Sequence, residues 1–188
     1  MGAIQIGVAN DEAAQFARVG YGTDPNLVTP VVPWQGTLSA AQLAMIDALA
    51  DEILPGTSDE PPPSHVGIAA FFNEWLSAPY PRQVEDRRLV EDGLRTLDAE
   101  SQARYGNPFV SVSQVERGEL VAWLSASQGR IREFFVRYRY LVIGGYFTTD
   151  PGMEALGYRG NVPLLSFPPV TSDAQKAIDR ELAKLGLA

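Results

Sequence analysis

The sequence predicts an all-α protein: a helical bundle of about six to seven helices with extended Pro-rich N- and C-terminal arms. Three observations predict it. Apolar residues recur at steps of three and four through most of the chain. Two Ser-x-x-Gln/Glu signals, Ser39–Gln42 and Ser113–Glu116, mark helix starts, where a serine oxygen and a reaching side chain satisfy free N–H groups. Alternating apolar–polar runs, the mark of half-buried strands, are almost absent.

The first thirty-odd residues show no clean period, although Asp11 to Arg18 fits a short helix. Gly20 to Gly36 is rich in Gly and Pro, with Val31, Val32 and Trp34 as its apolar content, and reads as an extended arm. Behind Ser39, residues Leu43, Ile46, Leu49, Ala50, Ile53 and Leu54 form the stripe of a first helix that Pro55-Gly56 ends. Asp59 to Ser64 is a proline-punctuated loop. Val66 to Ala78 predicts a second helix, with Ile68, Phe71, Phe72, Trp75 and Leu76 on its apolar face. The third runs from Gln83 to Tyr105 over Leu89, Leu94 and Leu97, with Gly106 just past its end.

Ser113 opens a fourth helix containing Leu120, Val121 and Leu124. The fifth, Gln128 to Gly144, carries Ile131, Phe134, Phe135, Tyr138, Leu141 and Val142. Asp150-Pro151 reads as the cap and first residue of a short sixth helix that Gly157 stops. Tyr158 to Val170 forms a second arm with Pro168-Pro169, and Ser172 caps a final helix over Ile178, Leu182 and Leu185. The predicted organisation is an N-terminal arm at 1–37, a helical domain at 38–157, and a C-terminal arm with the final helix at 158–188.

The composition narrows the function. A net charge of -8 opposes binding to nucleic acid, whose phosphates call for clustered Lys and Arg, and opposes docking on an anionic membrane. No apolar run approaches the roughly 18–20 residues that cross a bilayer. The absence of cysteine excludes disulfides, thiolate metal sites, iron–sulfur clusters and a cysteine nucleophile. Met1 to Glu12 shows no basic n-region, no apolar h-region and no twin arginine, and Met1-Gly2 lacks the Ser or Thr that myristoylation needs. A periplasmic and a cytoplasmic location in a bacterium both stay open.

No cofactor, metal or catalytic residue is expected in this chain. The only histidine, His65, sits in a loop beside Asp59 and Glu60, which read as solvated charges. No Gly-x-Ser-x-Gly elbow, P-loop or Gly-x-Gly-x-x-Gly after a strand is present. Gly144-Gly145 follows a helix and reads as a close helix–helix approach or a helix end. Arg130, Arg132, Arg137 and Arg139 read as a solvated face, against an anion or partner site. Phe134, Phe135, Tyr138, Tyr140, Tyr146 and Phe147 read as core, except that Tyr140 and part of Tyr146-Phe147 fall off the main apolar face and suit an interface. Two Pro-rich arms of about 15 residues are long for a compact domain and favour an interaction subunit over a free-standing enzyme.

The chain also resembles a known family. Leu49-Ala50-Asp51-Glu52-Ile53-Leu54-Pro55-Gly56-Thr57 begins the match, followed by Val66-Gly67-Ile68-Ala69-Ala70-Phe71, Gly93-Leu94-Arg95-Thr96-Leu97-Asp98 and Tyr105-Gly106-Asn107-Pro108-Phe109. Phe134-Phe135, Gly145-Tyr146-Phe147-Thr148-Thr149, Gly152, Leu156-Gly157-Tyr158 and Gly160-Asn161-Val162-Pro163 complete it. In order and spacing, over about residues 38 to 170, this series is similar to the gluconate 2-dehydrogenase subunit 3 family.

The resemblance implies a non-catalytic small subunit beside a large flavoprotein of the glucose-methanol-choline (GMC) type, which holds FAD and oxidises a sugar. Electrons then pass to a cytochrome c. The tail ending at Pro168-Pro169 is most similar to small subunits paired with glucoside 3-dehydrogenases. Many relatives carry a twin-arginine signal, which this sequence lacks. The alternatives are a dissociable folding or export chaperone for the flavoprotein and a stand-alone enzyme using carboxylates or His65. Under the leading reading the partner is bound by Trp34, Tyr146, Phe147, Thr148, Thr149, Tyr158, Asn161, Pro163, Phe167 and Pro168.

Overall fold

In the computed structural model the described residues are 32, 34–158, 160 and 169–187. The predicted helix at Asp11–Arg18 and most of both arms lie outside them. Seven α-helices and no strand occur among the described residues.

Helix α1, Ala40–Ile53, starts where Ser39 and Gln42 cap each other, and it buries Met45, Ile46, Leu49 and Ala50. The loop after it is drawn back by Asp51. Its carboxylate accepts from the Ser64 N–H at 2.9 Å and the Ser64 hydroxyl at 2.7 Å, at the start of a 3-10 turn, Pro63–Val66. Gly67 then takes φ 85, a left-handed conformation, and turns the chain into α2, Ile68–Ser77. Helix α3, Pro81–Tyr105, begins on a proline and ends at Gly106 with φ 70.

The buried line of α3 is Val90, Gly93, Leu94, Leu97 and Ser101. Leu89, expected in that line, is half-buried, because the long helix turns Val90 inward in its place. Helix α4, Gln114–Ala126, starts at the second reciprocal cap, Ser113 with Glu116.

Helix α5, Gly129–Tyr146, organises the bundle. It packs on α2, α3 and α4 through Phe134, Phe135, Tyr138, Leu141 and Val142. Tyr138 is fully buried and donates its hydroxyl to the Ile46 carbonyl at 2.6 Å, which ties α5 to α1. Two glycines set the spacing. A Cβ on Gly93 would stand 2.1 Å from the Phe134 ring, and one on Gly145 would stand 2.7 Å from Phe71. Gly144-Gly145 is therefore interior to α5, which runs two residues past the predicted end.

Helix α6, Asp150–Ala155, is capped by Thr149, whose hydroxyl accepts from the Gly152 N–H; Asp150, the expected cap, is its first residue. Its approach is tight, since a Cβ on Gly152 would meet the Tyr146 carbonyl at 2.2 Å.

The chain divides into two units, 1–157 and 158–188. The second contains α7, Ser172–Lys184, which has no buried residue. Thr171 caps it in place of the expected Ser172, accepting from the Ala174 N–H.

Candidate docking surface

The outer half of α5 is built differently from its inner half. Val136, Tyr140 and Ile143 lie four and three residues apart, so they stack along one line. That line faces solvent: Val136 is 48% exposed, Tyr140 65% and Ile143 41%. Beside it runs a groove of 750 Å³ between α2, the start of α3 and α5, with Phe71, Trp75, Arg82, Arg137, Tyr140 and Gly144 in its wall.

A charged lock forms one edge of the groove. Arg137 donates from Nε to Asp86 Oδ1 at 2.6 Å and from an Nη to Asp86 Oδ2 at 2.5 Å, a two-pronged contact that fits guanidinium to carboxylate. Trp75 Nε1 donates to the same Asp86 Oδ2 at 2.8 Å. The side chains are 15% and 8% exposed for Arg137 and Asp86, so the pair links α5, α3 and α2 almost out of water. The bond to Asp86 raises the Arg137 pKa above its ordinary value. The guanidinium also lies 5.2 Å from the Tyr140 ring centre, which steadies that exposed ring.

The four arginines thus part company. Arg137 is locked in place, and Arg130 meets Asp92 at 3.4 Å. Arg132 donates to the Ser125 carbonyl, and Arg139 has no carboxylate partner among the described residues.

The predicted partner-binding residues are spread over several settings. Trp34 is half-buried; its indole donates to the Glu74 carbonyl at 2.9 Å, and its ring meets the Tyr80 ring edge-on at 5.8 Å. Thr37 and Leu38 continue this zipper through Ser77 and Asn73. The arm from Trp34 to Leu38 is therefore held by its own helix α2.

Tyr146 belongs to the core. It is 3% exposed, and its hydroxyl donates to the Pro61 carbonyl at 2.8 Å, because α5 continues far enough to turn its ring inward. Phe147 is half-buried with its ring edge-on to Tyr146 at 5.2 Å. Thr148 and Thr149 donate to the Gly145 and Tyr146 carbonyls and finish the helix end. Tyr158 is exposed. Asn161, Pro163, Phe167 and Pro168 lie outside the described residues. Sequence reasoning missed Val136 and Ile143, although their spacing from Tyr140 was a readable signal.

Several polar groups have structural work. Asp98 accepts from the Phe109 N–H at 2.9 Å, and Tyr105 donates to Glu119 at 2.6 Å. Arg117 faces Glu52 at 3.2 Å. Burial raises the Asp47 carboxyl, with the Asp51 charge adding to it and the Ala69 amide opposing; Asp47 Oδ1 is buried without a hydrogen-bond partner among the described residues. Burial pushes the Tyr138 hydroxyl well up, reinforced by Asp47 and Asp51. His65 is exposed in the 3-10 turn. No group of three or more His, Cys, Asp or Glu residues suited to a metal occurs among the described residues, and no described helix is long and apolar enough to cross a membrane.

The family model for gluconate 2-dehydrogenase subunit 3 matches residues 40–164, from the start of α1 to beyond α6. The chain belongs to this family. No curated protein and no solved structure matches the chain. Membership makes this chain a subunit-type component of a dehydrogenase complex and implies association with a large subunit. As a gluconate 2-dehydrogenase subunit 3 family member, the chain has an all-α bundle whose matched region contains the outer face of α5 but stops before α7.

Proposed function

We propose that this chain is the non-catalytic small subunit of an FAD-dependent sugar dehydrogenase of the GMC type, and that it supports assembly and stability of the catalytic flavoprotein. The family match over residues 40–164 carries the reading. Two features support it. Asp86, Asp51 and Asp98 are each committed to a fold contact. An apolar line on α5 faces outward, where a monomer gains nothing from it.

In this reading FAD and the reacting sugar sit in the partner. Electrons leave through the partner to a cytochrome c. The substrate is the C3 hydroxyl of a glucoside, which is oxidised to a ketone. This chain then affects turnover only by holding the partner's walls in place.

Co-expression with a GMC-type flavoprotein encoded in the same genome tests the proposal. The expected result is a stable complex with flavin absorbance, sugar-dependent dye reduction, and loss of soluble flavoprotein when this chain is omitted. A flavoprotein that is equally soluble and active alone defeats the assembly role. Dissociation of the two chains on gel filtration defeats the resident-subunit role and leaves a chaperone.

A further inference from the structure

We propose that the outward line of α5 and the groove beside it form the surface on which the catalytic subunit docks, through a segment that presents apolar side chains flanked by carboxylates. This rests on the reading of the chain as a small subunit.

Charge selects the occupant. The chain carries a net charge of -8, yet this surface is locally cationic. Along α5 the apolar line is flanked by Arg132 and Arg139 on one side and Arg137 on the other; the acids beside it are Glu133 and the Asp86 that pairs with Arg137, so the unbalanced positive charge is that of Arg82, Arg132 and Arg139. Arg82, across the groove, and Arg139 are both exposed and have no carboxylate partner among the described residues. A second copy is a poor occupant. A two-fold contact sets a patch against itself, and here it would press arginine toward arginine. A segment with aromatic or aliphatic anchors between Asp and Glu residues satisfies both the line and its flanks.

Gly144 supplies an independent observation. A glycine inside a helix costs stability relative to alanine and needs a reason. Gly145 has one, because Phe71 fills the place of its Cβ. Gly144 has none among the described residues, where a Cβ would meet nothing within 4 Å; the same is true of Gly118 on α4, so what distinguishes Gly144 is its place in the groove wall. It lines the groove next to Tyr140 and Leu141. A bare backbone at that point admits the close approach of a ring or a main chain from another protein. Tyr140, braced by Arg137, is the anchor that such an interface uses.

The test uses the full chain co-expressed with its catalytic subunit, with affinity measured on the purified pair. Tyr140→Ser, Gly144→Leu and Arg139→Glu are compared with Gly118→Leu on α4, where a Cβ also meets nothing within 4 Å and which does not line the groove. The expected result is a loss of at least about tenfold in affinity for each of the first three, and wild-type binding for Gly118→Leu. The isolated Gly144→Leu chain should melt at or above the wild-type temperature, which separates lost docking from lost folding.

Binding by Tyr140→Ser and Gly144→Leu within twofold of wild type overturns the inference while leaving the subunit reading intact. Doubling of the isolated chain's mass in light scattering, abolished by Tyr140→Ser, assigns the face to a second copy and also overturns it. If the wild-type chain captures no catalytic subunit, the functional reading fails and the inference falls with it.

Discussion

The two faces of α5 carry similar residues and meet opposite fates. Inward, Phe134, Tyr138, Leu141, Val142 and Gly145 are enclosed by four neighbouring helices. Outward, Val136, Tyr140, Ile143 and Gly144 meet solvent. The contrast is sharpest at the adjacent glycines. Gly145 is a glycine because the fold has no room for more, whereas Gly144 is a glycine with room to spare. The inner face is explained by the chain's own stability, and the outer face calls for an explanation outside the chain.

The inner face should break first. Tyr138→Ala removes a fully buried ring and its hydrogen bond to the Ile46 carbonyl, and it should cost about 3–5 kcal/mol in denaturant unfolding. The outer Tyr140→Ala should change stability by less than about 0.5 kcal/mol in the same measurement. Equal losses at the two tyrosines would erase the distinction between the faces.

Asp86→Ala attacks the boundary between them. It leaves the Arg137 guanidinium and the Trp75 N–H without their acceptor. The expected cost is about 2–3 kcal/mol, below that of a fully buried pair because Arg137 keeps some access to water. Urea midpoints measure it, and a neutral result would show that the lock is dispensable.

The glycines give a pair of opposite sign. Gly145→Ala should destabilise by about 1–3 kcal/mol through overpacking against Phe71. Gly144→Ala should stabilise by about 0.5–1 kcal/mol through helix propensity alone. Thermal midpoints of the isolated chain read both signs.

A smaller effect again comes from Asp47, beside the buried end of Tyr138. Its folded-state pKa lies above the ordinary value of 3.8. Its contribution to stability is therefore complete below that value and is lost as pH rises through the folded pKa. Asp47→Asn should stabilise the chain at pH 7 by about 0.5 kcal/mol, a gain kept small by solvent screening, and should do nothing at pH 3. A gain that persists at pH 3 would assign the effect to something other than charge.

Much of the helical scaffold was legible. Ser39 and Ser113 cap where their partners three residues on say they should, because the capping box is local chemistry. Gly106 ends α3 because a left-handed residue there is cheap only for glycine. The caps of α6 and α7 were legible only to within one residue. Thr149-Asp150 and Thr171-Ser172 each offer two good capping side chains in a row, and only backbone geometry chooses between them. Trp34 and Tyr146 were harder. A tryptophan in a proline-rich arm reads as a residue for another protein, but Asn73 and Ser77 on α2 hold its segment down. Their proximity joins residues 40 and 35 positions apart, which no periodicity reveals.

By itself the sequence determined the all-α class, the family, the helix starts that carry reciprocal caps, and which residues of α5 are apolar. Those depend on neighbours within four positions, or on a motif series that survives without coordinates. Only the tertiary structure decided which apolar face of α5 is covered, that Arg137 belongs to Asp86 and not to solvent, and that Gly145 is required while Gly144 is not. Burial depends on what stands opposite, and what stands opposite each of these residues comes from a distant part of the chain.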